Sequence, residues 1–134
     1  MKNLAFLLLG AFAAVGLFCD TARAHTEFRT VVQTRYDFKT VSCYTCHVPR
    51  EEKSVRNDVG QTFAKLLEGQ DLTAKLAAVE ELDSEDPVRV KAAEEASAIF
   101  LKALEELEKT EHPDGGTWAD AFKAGKIEGT KLKE

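Results

Sequence analysis

The sequence predicts an all-α fold, a small domain of four to five helices that follows a cleaved N-terminal segment. Three observations predict it: apolar residues recur at three- and four-residue spacing through most of the chain beyond residue 25, helix-capping and helix-ending residues separate those runs, and no stretch alternates apolar with polar residues as a half-buried strand does. Internal repeats and low-complexity tracts are absent from the sequence.

Residues 1–24 read as a secretory signal peptide. Lys2 supplies the positive start, Leu4 to Phe18 are almost continuously apolar, and Ala22-Arg23-Ala24 offers the small-x-small pattern of a cleavage site. The apolar run, about 15 residues, falls short of the roughly 20 that a membrane-spanning helix requires, so no stable membrane anchor is expected after cleavage. The mature chain then starts at His25, forms a single domain over residues 25–134 and belongs in the periplasm or another extracytoplasmic compartment.

Phe28, Val32 and Tyr36 stand four apart and predict a helix between Thr26 and Ser42, although Thr30, Val31, Val32 and Thr34 are β-branched and lower its propensity. Cys43-Tyr44-Thr45-Cys46-His47 follows, then a charged loop entered through Pro49. Asn57 or Asp58 can cap a short amphipathic helix bearing Val59, Phe63, Leu66 and Leu67, with Gly69 at its end. Leu72, Leu76 and Val79 repeat the pattern behind an Asp71 cap. Asp83-Ser84-Glu85-Asp86-Pro87 interrupts it, with Ser84 or Asp86 as the next cap and Pro87 in the first turn. The longest run, Val88 to about Glu111, aligns Ala92, Ala96, Ile99, Ala103 and Leu107, flanked by Phe100 and Leu104, with Glu and Lys opposite. His112-Pro113-Asp114-Gly115-Gly116 ends that helix, and Thr117 caps a last one carrying Trp118 and Phe122.

The chain carries 18 Lys and Arg against 23 Asp and Glu, a formal net charge of −5. Loss of Lys2, Arg23 and Asp20 with the leader takes it to about −6, which argues against nucleic acid or an anionic membrane surface as partner and is compatible with a basic redox protein. Of the three cysteines, Cys19 leaves with the leader, as does the only methionine, Met1. Cys43 and Cys46 are then the only thiols, and no other cysteine competes with them for a disulfide.

Residues 43–47 form a C-x-x-C-H string, the attachment signature of c-type haem. Two thiols three positions apart can add across the two vinyl groups of one porphyrin, and the imidazole directly after them is placed to ligate its iron. A ligating imidazole donates its other ring N–H to a carbonyl or carboxylate, and a backbone carbonyl in the loop after Pro49 is the candidate acceptor for His47. For the sixth iron position the histidines left are His112 and His25; an open site, or a lysine, water or terminal amine, is the alternative. Trp118, Tyr36, Phe28, Phe63 and Phe100 are available to line a haem pocket or simply to fill the core. Arg50, Lys53 and Arg56 can neutralise propionates or stay solvated.

On Cys43, Cys46 and His47, together with the leader, the helical body and the helix just upstream of the motif, the chain resembles small monohaem c-type cytochromes. The resemblance implies a cytochrome c-like helical fold, thioether bonds from Cys43 and Cys46 to one haem c, and His47 as the proximal iron ligand. It implies one-electron transfer between redox proteins rather than enzymatic turnover. The chain departs from that family in having no late methionine, in a Pro49 that follows the motif more closely than the proline that often supports the proximal histidine, and in the size of its long acidic helix.

The missing methionine leaves a second function open, a haem-based module with five-coordinate iron that binds or senses a small ligand. Two further chemistries use the same cysteines. A zinc site needs Cys43, Cys46, His47 and a fourth ligand such as His112, and adjacent Cys46 and His47 make that tetrahedron awkward. A thioredoxin-like dithiol needs one low-pKa thiolate in a βαβ setting, which the sequence does not show.

Overall fold

Apolar spacing becomes helix at five places in the computed structural model, which describes residues 26–134; residues 1–24, expected to be a signal peptide, and His25 lie outside the described residues. Helix α1, Thr26–Tyr36, buries Phe28 and Val32. It stops where Asp37 takes a left-handed backbone (φ 54°), a conformation that ends helices, and Phe38–Val41 continue as strand β1. Strand β2, Thr130–Leu132, pairs with it antiparallel, Phe38 opposite Leu132 and Val41 opposite Thr130, and an ion pair between Lys133 and Asp37 closes the end of the ladder.

This small sheet corrects the all-α expectation: the described residues are mostly helical, with one two-stranded sheet. The register shifts between Phe38 and Thr40, so Phe38 and Val41 both face inward although they are three apart, while Lys39 and Thr40 face solvent. A strand carrying such an irregularity does not alternate, and its partner lies at the far end of the chain.

Beyond the motif, α2 spans Asp58–Leu66 with Asn57 as its cap and buries Val59, Gly60 and Phe63. Helix α3, Leu72–Ala77, buries Leu72. Asp71 occupies its cap position without a capping side-chain bond, its backbone being left-handed (φ 50°). Helix α4, Pro87–Glu108, begins at Asp86, whose carboxylate accepts from Val88 N, with Pro87 in the first turn where its missing N–H costs nothing. Helix α5, Trp118–Lys123, starts on a reciprocal box between Thr117 and Asp120.

Helix α4 packs against all four of the other helices. It turns Ala96, Phe100, Ala103, Leu104 and Leu107 inward, the alanines letting neighbours approach closely. Phe28, Phe63 and Phe100 meet around one point, with ring centroids 4.4, 5.7 and 6.1 Å apart, and Tyr36 stacks on Phe38 at 5.6 Å and on Phe122 at 4.9 Å. Trp118 is also buried. The aromatic residues considered as cofactor lining thus close the centre of the molecule against one another and their aliphatic neighbours. Among the described residues no helix is long and apolar enough to cross a membrane.

Candidate functional site

The motif is one turn of 3-10 helix. Ser42, in extended backbone, caps it by accepting Tyr44 N–H on its hydroxyl, and Cys43–Thr45 form the turn. Cys43 O then accepts from both Cys46 N (3.2 Å) and His47 N (3.0 Å), and Ser42 O accepts from Thr45 N (3.2 Å). Cys46, the C-cap of the turn, has left the 3-10 conformation (φ −120°) and lies near enough to Cys43 to feel its charge. Both thiols are free and half-buried, Cys46 against the hydrophobic core. Thr45 is the buried plug of the turn, and Tyr44 is its exposed member.

Two glycines grip this turn, one from the neighbouring helix α2 and one from near the C-terminus. A Cβ on Gly60 of α2 would lie 2.1 Å from Cys46 O, so only glycine lets α2 come this close. Gly129 (φ 74°) sits just before β2, where a Cβ would lie 2.5 Å from Ser42 Oγ and 2.7 Å from Thr45 N, and its carbonyl accepts Ser42 N–H at 2.8 Å. Asn57 joins the turn to α2, its amide donating to Tyr44 O and Thr45 O while its oxygen caps the helix. Downstream, His47 and Arg56 pair across a loop, residues 48–55, that folds back on itself through Val48 N to Val55 O and Glu51 N to Val48 O.

His47 Nδ1 is buried and has no hydrogen-bond partner among the described residues, and Thr45 Oγ1 is in the same condition. The carbonyl after Pro49 expected to accept from His47 does not do so; carbonyls of Val48, Glu52 and Val55 are taken by amides of their own loop. Buried polar atoms in folded proteins nearly always have a partner, whether protein or ordered water. Burial pushes the Cys46 thiol up to about 12, the nearby Arg56 charge opposing and Cys43 reinforcing the shift. Cys46 is therefore a neutral thiol near pH 7, unlike the thiolate a dithiol oxidoreductase uses.

Cys43, Cys46 and His47 are brought together by one turn. His112 stands elsewhere, in the turn between α4 and α5, where its Nδ1 accepts Asp114 N–H at 3.1 Å and its ring meets the Trp118 ring edge-on at 4.5 Å. Nε2 is its remaining nitrogen. His25 lies outside the described residues. Among the described residues no three His, Cys, Asp or Glu side chains converge as a metal-holding group.

Two shallow grooves, of about 260 and 360 Å³, are lined by residues of α2 with the α4–α5 turn and by residues of α1 with Lys133; neither is lined by a motif residue. Sequence reasoning assigned Asn57 only the cap of α2 and passed over Gly60 and Gly129. A glycine inside a helix costs about 1 kcal/mol relative to alanine, and that misplaced residue was the available signal of a close approach at Gly60. No family model, curated protein sequence or solved structure matches the chain.

Proposed function

We propose that the chain is an exported monohaem c-type cytochrome that carries single electrons. One observation bears most of the weight: the free thiols of Cys43 and Cys46 flank a single 3-10 turn, and His47 follows it directly. Cys43 and Cys46 would hold haem c by two thioethers, and His47 would be its proximal ligand. The bound haem supplies one-electron chemistry at its iron. The chain's own contribution is to fix the two sulfurs and the imidazole on one rigid turn, to shelter the Cys46 side with the hydrophobic core, and to place Arg56 close by as a positive charge. A cytochrome c-like helical arrangement and a periplasmic or other extracytoplasmic location belong to the same proposal, as does a basic redox partner.

The test is spectroscopic. Protein exported from a host that attaches haem c should show a Soret band, a pyridine haemochrome of thioether-linked haem, and haem staining that survives denaturing electrophoresis. A bare polypeptide mass from that host would sink the proposal.

The absence of methionine beyond residue 1, together with a His112 ring already tied to its own turn, favours a second function, a five-coordinate haem module that binds a small gas. Carbon monoxide added to the reduced protein separates the two. A prompt spectral shift supports gas binding, and an unresponsive six-coordinate spectrum supports the electron carrier.

A further inference from the structure

One residue occupies three successive carbonyls of the motif. Asn57 Nδ2 donates to Tyr44 O at 3.0 Å and to Thr45 O at 3.2 Å, and Asn57 N donates to Cys46 O at 3.0 Å. Its Oδ1 accepts Gly60 N–H at 3.0 Å. Capping α2 requires only that last bond. The two donated side-chain bonds are surplus to the helix and are directed wholly at the motif. With Cys43 O already holding Cys46 N and His47 N, every carbonyl from Ser42 to Cys46 has a donor. Gly60 completes the bracket by letting the Cys46 carbonyl lie against α2.

We infer that Asn57 is a positioning residue for cofactor attachment: its amide holds the Cys43–His47 backbone, before any prosthetic group is present, in the shape in which both thiols and the imidazole meet one porphyrin. This inference rests on the haem attachment proposed above. Each attachment adds a cysteine S–H across a vinyl C=C, the sulfur bonding one carbon and the hydrogen the other, so no oxidant or reductant is consumed. Once the first thioether forms, the second addition is intramolecular, and its rate depends on the second sulfur already standing at the correct separation. A turn fixed on all its carbonyls supplies that separation.

Asn57→Asp tests the inference because it retains an oxygen to cap α2 and replaces the donor with an oxygen that two carbonyls repel. Asn57→Ser retains a cap oxygen without added charge and serves if the aspartate variant does not fold. Two quantities are measured. The first is amide hydrogen exchange in the chain without haem, at Cys46 and His47 against core amides of Leu104 and Phe122. The second is covalent haem per chain in protein exported from a haem-attaching host. In both variants exchange at Cys46 and His47 should quicken by about fivefold or more, the factor for one neutral hydrogen bond, with core amides unchanged and attached haem falling by a similar factor. Wild-type exchange at Cys46 and His47, wild-type attachment, or equal quickening at the core amides overturns the inference. A wild-type chain that takes up no haem overturns the proposed function instead, and the exchange data alone then decide whether Asn57 holds the turn.

Discussion

Glu108, at the end of α4, receives three hydrogen bonds from the end of α1: Arg35 Nε at 3.1 Å, Arg35 Nη2 at 3.0 Å and the Tyr36 hydroxyl at 2.6 Å. Partial burial works against its charge, but the bonds from Arg35 and Tyr36 and the guanidinium charge prevail and hold the carboxyl below its ordinary value. Burial, then the bond to Glu108, pushes the Tyr36 phenol up. A folded-state value below the unfolded one means stability that is present above the ordinary carboxylate range and is lost as pH falls through the folded value. Glu108→Gln should therefore cost about 1–2 kcal/mol at neutral pH, moderated by the exposure of Arg35, and the gap from wild type in urea midpoint should shrink between about pH 5 and pH 3. A gap that stays constant would contradict it. At the motif, His47→Ala leaves both thiols in place; haem should stay covalently bound on a stained gel while the Soret band shifts, and an unshifted band would place the ligand elsewhere. At this scale the C-x-x-C-H string was legible because its five residues are consecutive. The second duty of Asn57 was not, because its donors reach residues twelve and thirteen positions away that only the fold brings near.

Local chemistry made the helices legible in proportion to how local it is. Helix α5 carries its own start signal in Thr117 and Asp120, and α2 carries Asn57, Phe63 and Gly69, so both lie where the sequence puts them. Strand β1 was hidden by its irregular register and by a partner strand beyond residue 129. That pairing matters to the motif, since β1 leads straight into Ser42 and Gly129 leads straight into β2. Gly129→Ala forces a side chain into a left-handed backbone and against Ser42 and Thr45 at once. It should destabilise the protein by about 2 kcal/mol or more, read as a lowered thermal midpoint, and reduce haem attachment in the same preparation. Gly115→Ala is the control: its φ is also positive (93°), but no atom lies within 4 Å of the added carbon, so it should cost the backbone strain and spare attachment.

In the molecule as a whole, the centre is filled by Phe28, Phe38, Phe63, Phe100, Leu104, Leu107 and Phe122 from five different elements, all of them side chains. A double Cys43→Ser, Cys46→Ser variant should thus remain folded and cooperative, with a wild-type far-ultraviolet circular dichroism spectrum and no dye-binding hydrophobic surface. A molten spectrum would show that the prosthetic group is needed to complete the interior. The excess of acidic residues is concentrated in residues 71–111, across α3 and α4, whereas the stretch bearing the motif is nearly balanced. A basic partner of the kind proposed would be drawn chiefly to the former.

The sheet joins segments separated by residues 42–129, while the helices and their caps use neighbours a few positions apart. Closing so long a loop is entropically disfavoured until the intervening helices have compacted, so the strands are expected to zip after the helices form. During that interval the turn that carries the two sulfurs is held by Asn57 alone, without the Gly129 carbonyl that later accepts Ser42 N–H. If haem is attached as proposed, attachment that precedes zipping would meet a turn braced from the α2 side only.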